Sequence, residues 1–98
     1  IFWDLFKSNW EATVESSKVN HIDSVIYISN NHVIFENKAK KSEVTVPNNI
    51  VTPTEFIIQI KRNGYIAPKT YYWNIKNKNK KYVQKIQMGW GIYRLYEQ

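Results

Sequence analysis

Between Ser24 and Tyr96, apolar residues recur in short period-two runs, and each run is stopped by Asn, Gly, Pro or a lysine-asparagine cluster. That rhythm constrains the fold more than any single motif. A parallel βαβ unit needs a crossover of a dozen or more residues, and no gap between these runs supplies a helix of that length. The runs must therefore pair antiparallel with near neighbours. The strand-like end of the chain, Tyr82 to Tyr96 broken once at Gly89-Trp90-Gly91, is rich in Tyr, Trp and Ile and needs such partners, because its apolar groups and its backbone donors and acceptors cannot all face water.

Taken in order, Phe2, Leu5 and Phe6 have the spacing of one helical face, and Asp4 suits a helix start, so a short N-terminal helix or turn is expected. Trp10, Ala12 and Val14 then alternate with Glu11, Thr13 and Glu15, which reads as a half-exposed strand over 10–16 followed by a polar break over 16–20. Ser24–Ser29 and His32–Glu36 flank Asn30-Asn31. Because Asn tolerates positive φ, that pair predicts a tight hairpin of the primed type. Ser42–Val46 alternates until Pro47, and the stretch from Pro47 to Pro53 is the longest irregular connection. Glu55–Lys61 is a strand with Phe56, Ile58 and Ile60 inward. Asn63-Gly64 predicts that Tyr65 onward returns antiparallel, with a bulge or edge position at Pro68. Thr70–Ile75 follows, then a turn over Lys76–Lys81. The expectation is an all-β single domain over residues 1–98: a meander of seven or eight antiparallel strands closing into a small barrel, with a short N-terminal helix. An open, curved sheet packed on that helix is the alternative. Trp10, Val14, Ile26, Ile28, Phe35, Phe56, Ile58, Ile60, Trp73 and Tyr93 would face inward.

The 98-residue chain is long enough for one core and too short for two. It has no cysteine, so neither a disulfide framework nor a thiolate metal site is available. No stretch approaches the roughly eighteen uninterrupted apolar residues of a membrane span. The chain opens on Ile1 in an aromatic-rich segment, which points to removal of a leader or an upstream domain and to a secreted or surface location. Charge is divided unevenly. Residues 1–60 hold five lysines against seven acids, whereas residues 61–98 hold seven lysines and two arginines against Glu97 alone. An anionic partner would be drawn to the last third of the chain.

A short helix, Trp10 at the start of a first strand, a hairpin-linked meander and Arg94 in the last strand together resemble the lipocalin or calycin superfamily. In that family a Gly-x-Trp signature opens the first strand, and a basic residue of the final strand packs across the Trp. Here Ser8-Asn9-Trp10 stands at the signature and Arg94, within Ile92–Tyr96, at the basic position. The resemblance implies a cup-shaped barrel that binds a small apolar ligand or a protein partner, with Trp10, Phe35, Phe56, Trp73 and Tyr93 lining it. Trp10 and Arg94 would form a structural cation–π pair.

The residues themselves offer an alternative. Lys69, Lys76, Lys78, Lys80, Lys81 and Lys85 surround Tyr71, Tyr72, Trp73 and Tyr82, the mixture of cations and stacking rings that a single-stranded nucleic acid or an anionic surface uses. The ordinary reading is a solvated hairpin tip, with only Tyr72 of its strand left outside. His21, His32 and Asp23 are not at ligand spacing, and His21, Asp23 and Ser24 cannot form a triad because neighbours in a strand point to opposite faces. Glu11 and Glu15 could pair as carboxylates for acid–base work, but the ordinary reading is a wet strand face. Ile50 and Val51, mid-loop, could serve a protein contact or tuck under the loop. The chain has no Gly-rich phosphate loop. These readings give a non-enzymatic binding module with no cofactor, and an unclosed sheet would leave its edges free to pair.

Overall fold

A computed structural model describes residues 1–89 and 91–98. The described residues form one helix, α1 (Phe2–Asn20), and eight strands: β1 (Ser24–Ser29), β2 (His32–Glu36), β3 (Lys41–Thr45), β4 (Ile50–Val51), β5 (Ile57–Ile60), β6 (Lys69–Ile75), β7 (Lys80–Ile86) and β8 (Tyr93–Glu97). The fold is thus mostly β, with a single N-terminal helix. Trp90, in the break of the C-terminal run, lies outside the described residues.

The helix corrects two expectations. It is 19 residues long rather than a short turn, and it takes in the segment over 10–16 that alternation assigned to a strand. Its buried positions are Phe2, Phe6, Trp10, Thr13, Val14 and Ser17, a stripe with helical spacing, while Ala12, which a strand would have turned inward, is exposed. Thr13 sits in this stripe at little cost because its hydroxyl donates to the Asn9 carbonyl at 2.7 Å. The polar residues after Ser16 do not stop the helix either. Ser17 is buried, its hydroxyl 2.5 Å from that of Ser24, and Asn37 Nδ2 donates to both Ser16 Oγ and Ser24 Oγ. The stop comes at His21, which adopts the left-handed conformation with φ 54°.

The strands form two antiparallel four-stranded sheets, sheet A in the order β3-β2-β1-β5 and sheet B in the order β4-β6-β7-β8. Asn30 and Asn31, at φ 50° and 61°, make the expected primed turn between β1 and β2, whose register runs from Ser29↔His32 to Val25↔Glu36. The path is not a simple meander, because the chain changes sheet three times, into sheet B at β4, back to sheet A at β5 and into sheet B again at β6. Between Pro47 and Pro53 it enters sheet B as β4, where Ile50 is buried opposite Ile75 and Val51 is exposed opposite Asn74. After β5 the turn at Asn63-Gly64 forms, with the Gly64 N–H donating to Lys61 O and the Lys61 N–H to Tyr65 O. The strand that follows pairs with β4 and β7 and does not return along β5. Pro68 lacks the donor a continued ladder would need, and Ile66 instead bridges Gly89.

The helix joins the two sheets. Phe6 is wholly buried, and its ring centroid lies 5.5–6.4 Å from those of Phe2, Trp3, Trp10, Phe35, Phe56, Trp73 and Tyr93. Phe35 belongs to sheet A and Trp73 to sheet B, so one phenyl ring contacts both inner faces. Phe56 and Trp73, 5.2 Å apart, complete the contact between sheets. Edge-to-face packing of this kind adds about 0.5–1.5 kcal/mol per pair to what area burial supplies.

Candidate functional site

Strand alternation sorts the 69–85 region into two faces. In β6, Tyr71 and Trp73 turn inward and are buried, which leaves Thr70, Tyr72 and Asn74 outside. In β7 the outward residues are Lys81, Val83 and Lys85, and in β8 they are Arg94 and Tyr96. Register aligns them in three cross-strand rows. Thr70, Lys85 and Arg94 form one row, and Tyr72, Val83 and Tyr96 the next. Asn74, Lys81 and Gln98 form the third, closed by two backbone hydrogen bonds between Lys81 and Gln98.

The middle row is a low aromatic ridge. Val83 is 2% exposed, whereas Tyr72 and Tyr96 on either side of it are each 48% exposed, so the rings cover the valine and still present their faces to solvent. With strands about 4.8 Å apart, the two tyrosine strands are roughly 10 Å apart. Lys81 Nζ lies 5.0 Å from the Tyr72 ring centroid, within cation–π range. Lys81 and Lys85 stand on opposite sides of the ridge. Among the described residues β6, β7 and β8 turn no carboxylate to this face; Glu55, from the loop after β4, borders it at the β6 margin in a groove shared with Thr70, Tyr72 and Asn74. Glu97, the one acid of residues 61–98, has the opposite parity and pairs with Lys80 at 3.5 Å. Lys85 and Arg94 are direct cross-strand neighbours, a like-charge pair that works against the sheet.

The other expected cations fall elsewhere. Lys76 and Lys78 occupy the turn between β6 and β7, where Asn77 has φ 60°. Lys80 is held by Glu97, and Lys69, at the start of β6, lies over the ring of the inward Tyr71 at 5.1 Å. Of the seven residues expected to contact an anion, the face brings together Tyr72, Lys81 and Lys85. It adds Arg94 and Tyr96, which the grouping by sequence proximity missed. Only the β6–β7 and β7–β8 registers place both on the face of Tyr72.

Trp10, Phe35, Phe56 and Trp73 are the core itself rather than the lining of an open cup. The expected Trp10–Arg94 pair is corrected: Trp10 lies mid-helix, its ring packs on Phe6 and Tyr93, and its indole N–H donates to Gly91 O at 2.7 Å. Arg94 is exposed on the far side of β8 because it alternates with Tyr93. Tyr93 and Trp10 do share a cleft of about 460 Å³ between α1 and β8, walled by Trp3 and Leu95 and rimmed by Asp4, Lys7 and Glu11. Burial, and then the charge of Glu11, hold the Tyr93 hydroxyl well above the usual tyrosine range.

The remaining candidates do not converge. His21 ends the helix, and His32 Nδ1 lies 3.2 Å from Thr45 Oγ1 and 3.8 Å from Glu43 on sheet A. Glu11 and Glu15 are one helical turn apart and exposed, so they do not face each other across a strand. Among the described residues, no three His, Asp or Glu side chains stand close enough to hold a metal, and no helix is long and apolar enough to cross a membrane. Comparison of the chain with protein-family models, curated proteins and solved structures finds no match.

Proposed function

We propose that this domain is a non-enzymatic binding module that holds single-stranded nucleic acid across the outer face of sheet B. Tyr72 and Tyr96 act as stacking platforms, and Lys81, Lys85 and Arg94 contact phosphates. The observation that carries this reading is the Lys85–Arg94 like-charge pair beside an exposed aromatic ridge, on the side of β7 and β8 to which neither strand turns an acid. Such an arrangement costs the free sheet stability and returns it when an anion binds. Stacking on exposed rings is tolerant of sequence, because every base has a π-face. Anisotropy titration of a labelled single-stranded oligonucleotide tests it. Three phosphate contacts predict that log K falls with log salt with a slope of about −2. A salt-independent affinity, or no binding at low salt, contradicts it.

A second reading is favoured by the cleft beside Trp10 and Tyr93. There a small apolar ligand would lie between α1 and β8, in a lipocalin-like arrangement with the two sheets acting as a barrel-like wrap and the helix filling its interior. This reading predicts a saturable tryptophan-fluorescence response to a fatty-acid-like probe that is indifferent to salt, and loss of that response in Lys7→Glu if Lys7 receives the carboxylate.

A further inference from the structure

Four strands end the two sheets, and three of them are blunted against pairing. β3 carries exposed Lys41 and Glu43 and is followed by Pro47. β4 is two residues long and lies between Pro47 and Pro53. β5 is four residues long, and the Tyr71 hydroxyl donates to its Ile57 carbonyl at 3.3 Å. β8 shares only the exposed charges of β3, in Arg94 and Glu97, and has none of the other devices. It contains no proline, pairs with β7 without a bulge from Tyr93 to Glu97, and carries one charge of each sign. An edge of this kind is a template for another strand.

The ladder fixes which groups are free. Lys81 and Gln98 exchange both backbone bonds, and Gln87 N–H donates to Ile92 O, so the hydrogen-bonded positions of β8 are the even-numbered ones. Arg94 and Tyr96 therefore turn their amides toward β7. Tyr93, Leu95 and Glu97 turn theirs to the open edge.

We infer that β8 pairs antiparallel with β8 of a second copy of this chain, in the register centred on Leu95. In that register Leu95 faces Leu95 of the partner subunit, and Tyr93 faces Glu97 of the partner subunit. Both are pairs of outward-turned residues, and each pair exchanges two backbone hydrogen bonds. Arg94 then falls opposite Tyr96 of the partner subunit, at a non-hydrogen-bonded position where side chains approach most closely. The guanidinium gains an aromatic face there, which offsets its repulsion from Lys85. Sliding the register by two residues places Arg94 against Arg94 of the partner subunit in one direction, and breaks the Arg94–Tyr96 contacts in the other. Sequence on the edge thus selects a single register. Pairing joins the two sheets B edge to edge, so the ridges of Tyr72, Val83 and Tyr96 become one surface. This self-association stands whether or not that surface binds nucleic acid.

The test uses the native chain, by sedimentation velocity and amide hydrogen exchange over a concentration series. At low concentration the Arg94 and Tyr96 amides are slow to exchange and those of Leu95 and Glu97 are fast. As the mass shifts to that of a dimer, Leu95 and Glu97 slow by about tenfold or more. Leu95→Pro and Glu97→Pro each remove an outward donor without touching the ladder to β7, and either variant that retains the native circular dichroism stays monomeric. A monomer at every concentration overturns the inference. So does a dimer in which the Leu95 and Glu97 amides still exchange fast, or one that persists in both folded proline variants.

Discussion

Asn37 uses all four hydrogen-bonding positions of its side chain. Nδ2 donates to Ser16 Oγ and Ser24 Oγ, and Oδ1 accepts from the backbone N–H groups of Ala39 and Lys40. One side chain thereby ties the end of the helix to the first strand and shapes the turn between β2 and β3. Asn37→Ala should lower stability by about 2–3 kcal/mol, read as a drop in urea midpoint at unchanged slope, because it leaves polar groups near the buried Ser17–Ser24 pair without a partner. Tyr93 carries a pH dependence. Burial keeps its hydroxyl neutral in the fold, while in the unfolded chain it ionises near pH 10, so its stabilisation is complete below about pH 10 and is lost as pH rises further. Tyr27, whose hydroxyl donates to Glu36 at 2.8 Å, acts with the same sign. Urea unfolding at pH values from neutral to strongly alkaline should show falling stability, and Tyr93→Phe should flatten that fall. Residues with a strong local conformational preference were legible in the sequence, as Asn30 and Asn31 demonstrate. Arg94 was not. Its parity with Tyr72 depends on two registers, and register is a property of strand pairs rather than of single residues.

The helix shows what local pattern leaves undecided. Trp10, Ala12 and Val14 satisfy a period of two, while Phe2, Phe6, Trp10 and Val14 satisfy a step of four; both patterns pass through Trp10, and only the second extends back to the start of the chain. The longer stripe prevails because it buries three aromatic rings in one contact, which the short alternating segment could not. Its end is equally instructive. His21 holds a left-handed conformation that favours glycine, and it is exposed, so no packing is lost on replacing it. His21→Gly should raise stability by up to about 1 kcal/mol, seen as a higher thermal midpoint. Strand identities in the rest of the chain were legible from alternation and turn residues. Strand neighbours were not: Asn63-Gly64 specifies a turn, but Pro68 and the apolar inner faces decide that β6 joins sheet B rather than β5.

At the scale of the molecule, the uneven charge of the sequence becomes an uneven charge in space. Sheet A and α1 are drawn from the first sixty residues, where acids outnumber lysines, and β6, β7 and β8 come from the basic remainder. The sequence therefore signalled a basic region, and the fold gathers part of it onto a single face while sending the rest to a turn and to an ion pair. That division separates the two places a nucleic acid could bind. The decisive measurement compares two charge-matched variants in a salt-dependent titration with a single-stranded oligonucleotide: Lys81→Gln with Lys85→Gln and Arg94→Gln on the face, and Lys76→Gln with Lys78→Gln and Lys80→Gln around the turn. The account predicts that the face variant loses most of its affinity and that its salt slope falls from about −2 toward zero, while the turn variant retains most of both. Equal losses in the two variants, or a larger loss in the turn variant, would contradict it.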